Sequence, residues 1–146
     1  MNNGCKIDFS FQMQYELKRA ERYRIFLSLV VINLGPIVDT TAEISRDEQR
    51  RTKLIHELQQ VIKTASREID YVSNSGRLKV GLLMPETSRQ GAEAATRRVI
   101  DQLNRFCSDY FIDNDDYLVP VEISSFPDAS GARSIASYLE EFVLDN

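Results

Sequence analysis

A chain of 146 residues with 42% hydrophobic content has the length for one domain with a sizeable core, and a formal charge of -4 gives no global electrostatic case for binding DNA or RNA. Cys5 and Cys107 lie far apart without metal-ligand spacing, and the one histidine, His56, has no second histidine near it, which argues against a zinc site and for reduced thiols in a cytoplasmic protein. The longest apolar run, Ile25 to Ile32, falls short of the roughly 20 residues of a membrane helix, and Met1 to Gly4 lacks the basic start and apolar stretch of a secretory leader.

One domain over 1–146 is expected, with 1–8 as a flexible lead-in. From Phe11 to Arg24, Met13, Leu17, Ala20 and Arg24 recur at helical spacing, predicting an amphipathic helix that feeds a buried strand over 26–32. Leu34-Gly35-Pro36 breaks regular structure and opens a loop. Ser45 with Glu48 has the form of a capping box for a second helix, whose stripe is Leu54, Leu58, Val61, Ile62 and Ala65 and which ends near Ser66 to Asp70. Ile69 to Val72 and Leu78 to Met84 flank Asn74-Ser75-Gly76, predicting a hairpin. Thr87 with Gln90 repeats the capping signal before a third helix with Ala92, Ala95, Val99, Leu103 and Phe106 on its buried side. Cys107 reads as a half-buried hydrophobe at that helix's end. Asp113 to Asp116 forms a polar loop, and Tyr117 to Ile123 reads as a strand whose Pro120 argues for a sheet edge or a bulge. Ser124 to Gly131 is rich in turn residues, and Ile135, Tyr138, Leu139 and Phe142 predict a short last helix. Helices interspersed with strands in this order imply an α/β (α+β sandwich) fold, a mixed central sheet flanked by helices.

Several of these stretches resemble a GGDEF domain, the nucleotidyl-cyclase-like fold of diguanylate cyclases, from about Phe9 to Phe126. Glu16 to Tyr23 followed by Leu27 to Ile32 is similar to the family's E-x-x-R-A-x-R-Y and L-S-L-L-M-I-D opening, and Gly81 to Thr87 followed by Gly91 to Ala95 to its L-L-L-P-E-T passage. Counting back from Pro85 puts the five signature positions on Gly76, Arg77, Leu78, Lys79 and Val80, where only the first glycine survives. The resemblance implies condensation of two GTP into cyclic di-GMP, which needs divalent metal held by an Asp at the end of the first strand and an acid in the signature turn, because hard cations take carboxylate oxygens. Asn33 stands at the strand end, and Leu78 and Lys79 replace the acids. The expectation is a degenerate domain with no catalytic activity, no metal and no cofactor.

The family's inhibitory site fares better. Its R-x-x-D motif, with the Asp six residues before the first signature glycine, is matched by Arg67 to Asp70, and the Arg that it takes from the next helix is matched by Arg98. Guanidinium groups pair with phosphates and guanine edges, and a carboxylate accepts from guanine N–H groups, so cyclic di-GMP is the implied ligand. The plainer reading of Arg67 and Asp70 is an i,i+3 ion pair worth roughly a few tenths of a kcal/mol, and Arg98 to Asp101 is a second R-x-x-D without the spacing. Arg77 and Lys79 read as a solvated turn, or as cations that meet a partner's acids. The alternative to a cyclic di-GMP receptor is a dimerisation or protein-interaction module that uses the first helix or the hairpin tip. His56 is expected on the surface, and Phe9, Phe11, Tyr15, Tyr23 and Phe26 in core or interface packing.

Overall fold

A computed structural model describes residues 8–40, 44, 46–73, 77–111, 118–127 and 133–143. Cys5, most of the expected lead-in over 1–8, Ser45, the turn Asn74 to Gly76 and the loop Asp113 to Asp116 lie outside the described residues. The chain opens with α1 (Phe9–Tyr23), started by the Asp8 carboxylate, which accepts the Ser10 N–H at 3.0 Å. It ends as Arg24 turns left-handed at φ 54°. Strand β1 (Leu27–Asn33) follows, then a single turn, α2 (Gly35–Val38). That turn occupies the place of the predicted break, because Pro36 suits a first helical turn and Ile37 and Val38 can be buried by it.

Helix α3 (Glu48–Ala65) is capped by Asp47, whose carboxylate accepts from the N–H groups of Gln49 and Arg50 at 3.1 and 3.2 Å. Strands β2 (Tyr71–Val72) and β3 (Lys79–Pro85) pair antiparallel, as a hairpin requires, but Val72 stands opposite Leu82, so the connection is longer than the predicted turn, and Ile69 and Asp70 stay outside the shorter first strand. Helix α4 (Arg89–Tyr110) starts at Ser88, whose hydroxyl accepts from Gly91 N–H. The expected cap, Thr87, is engaged elsewhere: its hydroxyl donates to Pro85 O and accepts from Arg67. Strand β4 (Val121–Phe126) is displaced from the predicted 117–123. Ser124 and Ser125 look like turn residues, but their hydroxyls are engaged by distant partners: Ser124 Oγ donates to Arg133 O at 2.5 Å, and, because Ser28 Oγ donates to Thr87 O, Ser125 Oγ donates across strands to Ser28 Oγ at 2.8 Å. The last element is a 310 helix, Ile135–Phe142.

The strand order is β2-β3-β1-β4, with all three pairings in the described strands antiparallel, a more uniform sheet than the mixed one expected. Central β1 is buried on both faces, which is why it reads as an unbroken apolar run. Val30, Ile32, Val80, Leu82 and Met84 point to α3 and α4, while Leu27, Leu29, Val31 and Leu83 point to α1 and the 310 helix. Pro120 precedes edge strand β4 and lends its carbonyl to Asn33 N–H at 3.0 Å, consistent with the edge position expected from proline.

On α4 the buried stripe is Ala92, Ala95, Val99, Leu103 and Cys107, with Phe106 only partly covered. Cys107 is therefore deeper than predicted, and burial pushes its thiol up to about 11. Because the folded thiol holds its proton to higher pH than an unfolded one, stability is expected to fall as pH rises from about 9 to about 11. Urea unfolding across that window should show the decline in the parent chain and a flatter profile in Cys107→Ala.

Candidate functional site

The signature-turn end of the sheet is built by β1 and β3. In their register Asn33 stands directly opposite Lys79. The Asn33 amide oxygen accepts Gly35 N–H at 2.9 Å and so shapes the start of α2. Leu78 packs against the α3/α4 side of the core, and its carbonyl accepts Leu34 N–H at 2.8 Å. Val80 is fully buried. Gly76 lies outside the described residues. The two cations do not hang free in solvent: Arg77 donates to Glu141 O at 3.0 Å and Val143 O at 3.2 Å, and Lys79 Nζ stands 3.6 Å from the Glu141 carboxylate. These partners, two main-chain carbonyls for Arg77 and the Glu141 carboxylate for Lys79, belong to this chain's own residues 141–143.

The second location is the base of the hairpin. Arg67 Nη2 donates to Asp70 Oδ1 at 2.8 Å, its Nε reaches both Asp70 oxygens at 3.2 Å, and Arg67 N–H donates to Asp70 Oδ2 at 2.8 Å. The same Nη2 reaches Thr87 Oγ1 at 2.6 Å and Pro85 O at 3.2 Å. The Asp70 carboxylate has no solvent exposure, whereas the Arg67 side chain is 41% exposed. Sequence spacing anticipates the pair. It gives no signal for Thr87, which is 20 residues away.

Arg98 sits on α4, exposed, along a groove of about 670 Å³ between α3 and α4 whose walls include Thr64, Ala65, Arg98, Gln102, Arg105 and Phe106. Val61 and Ala65, expected in the buried stripe, are partly buried and line this groove. Ala65 precedes Arg67 by two residues, but neither Arg67 nor Asp70 lines the groove. No hydrogen bond or ion pair joins Arg98 to Arg67 or Asp70 among the described residues.

A third cluster was invisible in the sequence. Glu16 is buried, and its carboxylate accepts from Arg19 at 3.2 Å and from the Tyr71 hydroxyl at 3.3 Å, while Arg19 also reaches Glu86 at 3.3 Å. Burial, with Glu16 beside it, raises the Tyr71 phenol above its ordinary value, so it acts as a donor. This cluster ties α1 to β2 through Tyr71 and to Glu86, the residue that follows β3. His56 is exposed, as expected, and Phe9 is buried, whereas Phe11, Tyr15, Tyr23 and Phe26 stand out from the surface. No described helix is long and apolar enough to cross a membrane. Among the described residues no group of three or more His, Cys, Asp or Glu side chains could hold a metal ion.

No protein-family model matches the chain, and no curated protein matches it by sequence. Solved structures do. The active GGEEF domain of a diguanylate cyclase from Vibrio cholerae aligns over 86% of this chain and 77% of its own, at 15% identity and a TM-score of 0.62. The GGDEF domain of DgcB from Caulobacter crescentus, in complex with c-di-GMP, aligns over 97% and 88%, at 13% identity and a TM-score of 0.68. The diguanylate cyclase SiaD from Pseudomonas aeruginosa, in complex with its activator SiaC, aligns over 92% of this chain at 17% identity and a TM-score of 0.62, and this chain spans 50% of its length. The fold is that of a GGDEF domain.

Proposed function

We propose, proceeding from the GGDEF fold, that the chain is a catalytically inactive, cytoplasmic signalling domain that binds cyclic di-GMP at Arg67, Asp70 and Arg98 and passes the signal on to a protein partner or a second copy. The loss of activity rests on chemistry at the sheet end. A divalent cation wants several carboxylate or carbonyl oxygens, and the positions that would supply them hold an amide already bonded to Gly35 N–H, an apolar Leu78, and a cation, Lys79, directly opposite Asn33. These residues do not fit a metal, and Lys79 would repel one. Purified protein given GTP with Mg²⁺ or Mn²⁺ is expected to form no cyclic di-GMP, and its appearance would refute the reading.

The observation that carries the binding proposal is the groove that begins beside Thr64 and Ala65, two residues from the Arg67–Asp70 pair, and runs along Arg98. Arg98 makes no ion pair among the described residues, which leaves its guanidinium available to a phosphate or a guanine edge. Crystallised DgcB shows that a domain of this fold takes the nucleotide. Isothermal titration should give a Kd of about 50 μM or tighter, with Arg98→Ala weakening it at least about tenfold and leaving the melting temperature unchanged. Absence of heat at that concentration, or binding indifferent to Arg98, would sink the proposal.

A second reading is favoured by α1, which exposes Phe11 and Tyr15 one turn apart, each 59% accessible, with Tyr23 exposed at its end. Such a face suits an interaction module with no nucleotide. Sedimentation showing a concentration-dependent dimer that Tyr15→Glu abolishes, together with no titration heat, would select it.

A further inference from the structure

The C-terminal 310 helix is eight residues long, more than that geometry ordinarily sustains, so tertiary contacts must hold it. Ile135, Tyr138 and Phe142 are buried against the α1 face with Phe9, Met13 and Leu83. Phe142 lies 5.0 Å from the Phe9 ring and directly over Gly81, where an added Cβ would stand 2.8 Å from it. The notch exists because position 81 has no side chain.

The residue before Phe142 is read just as closely. One oxygen of Glu141 faces Lys79 and the other pairs with the Arg133 guanidinium, while Arg77 takes the carbonyls of Glu141 and Val143. An acid followed by an aromatic is thus recognised by cations at the sheet end and by a glycine-floored notch beside them. Lys79 and Arg133 are 50% and 43% exposed, so these pairs sit at a solvated rim and exchange readily.

We propose that Gly81, Arg77 and Lys79 form a docking site for a partner peptide carrying an acid followed directly by an aromatic, and that residues 135–143 occupy it as an internal competitor. The segment already seated there specifies the partner's chemistry: the carboxylate answers Lys79, the ring fills the Gly81 notch, and the main-chain carbonyls of the acid and of the residue after the ring answer Arg77. Docking of such a partner displaces the segment from the α1 face and couples binding to its release. This site does not involve Arg67 or Arg98 and stands apart from the cyclic di-GMP proposal.

The test uses the full chain carrying Glu141→Gln and Phe142→Ala, and a fluorescent peptide of residues 133–143 (R-S-I-A-S-Y-L-E-E-F-V) followed by anisotropy. The weakened chain is expected to bind it at least about tenfold more tightly than the parent does, and adding Arg77→Ala and Lys79→Ala should remove that gain. Equal affinity for parent and weakened chains, no binding at all, or a gain that survives loss of both cations would overturn the proposal. Because Phe142→Ala also loosens the α1 face, Glu141→Gln alone supplies a second measurement: hydrogen exchange over 135–143 should quicken by about threefold or more while the sheet stays protected. Unchanged exchange would overturn the role of Glu141.

Discussion

Arg67→Ala is expected to destabilise the domain by about 2–3 kcal/mol, lowering its melting temperature by roughly 5–10 °C for a domain of this size. The reason is the asymmetry of the pair. Asp70 keeps its carboxylate out of solvent, and the Arg67 guanidinium that neutralises it also ties the hairpin base to Pro85 and Thr87. Removing the arginine leaves a shielded charge with little but the residue-67 N–H to bond it. Removal of one partner from a fully buried pair costs about 3–5 kcal/mol, and the lower figure reflects the partial exposure of Arg67. Asp70→Ala should be milder, about 1 kcal/mol, because the guanidinium it leaves behind is half in water and retains Thr87 and Pro85. Thermal unfolding of the two variants checks this order; equal and small losses would make the pair an ordinary surface contact. One consequence concerns ligand binding. A drop in cyclic di-GMP affinity in Arg67→Ala mixes lost contact with lost structure, so Arg98→Ala is the cleaner probe.

Gly81→Ala and Phe142→Ala are expected to be strongly coupled. Alone, the alanine at 81 drives its Cβ to 2.7 Å from Phe9 and 2.8 Å from Phe142, an overlap worth about 1–3 kcal/mol. Phe142→Ala alone empties the notch, at about 3 kcal/mol, the low end for a phenylalanine because a terminal segment can relax. In the double variant the new methyl enters space that the ring has left, so its cost should be about 1–2 kcal/mol less than the sum. Urea unfolding of the four chains measures the coupling. Additivity to within about 0.5 kcal/mol would mean that Phe142 does not seat on Gly81.

Elements that bury one face repeatedly were the most legible. The helices α1, α3 and α4 repeat apolar residues at the helical period, the strands β1 and β3 are short unbroken apolar runs, and their positions were anticipated to within one or two residues. Helix starts were less legible, because a hydroxyl or carboxylate near the right place has competitors. Thr87 is drawn off by Arg67 and Pro85, and the caps fall to Asp47 and Ser88 instead. Strand β4 was misplaced because Ser-Ser-Phe-Pro has the composition of a turn, and only the folded chain supplies Ser28 as a cross-strand partner for Ser125 and the Arg133 carbonyl as an acceptor for Ser124.

The same division runs through the candidate site. The chain's local order is enough to bring Arg67 to Asp70, to set Asn33 and Lys79 near the strand ends, and to put Arg98 on an exposed helix face, because each depends on neighbours within one or two turns or on a count along the chain. What Arg77 and Lys79 do was decided only by the tertiary structure, since their acceptors lie more than sixty residues later in a segment that has no strong preference of its own. Folding buries Phe142 against Gly81 and carries Glu141 to the cations with it. A long-range apolar contact sets the place, and the charges, being short-ranged in water, take the partner that this contact delivers.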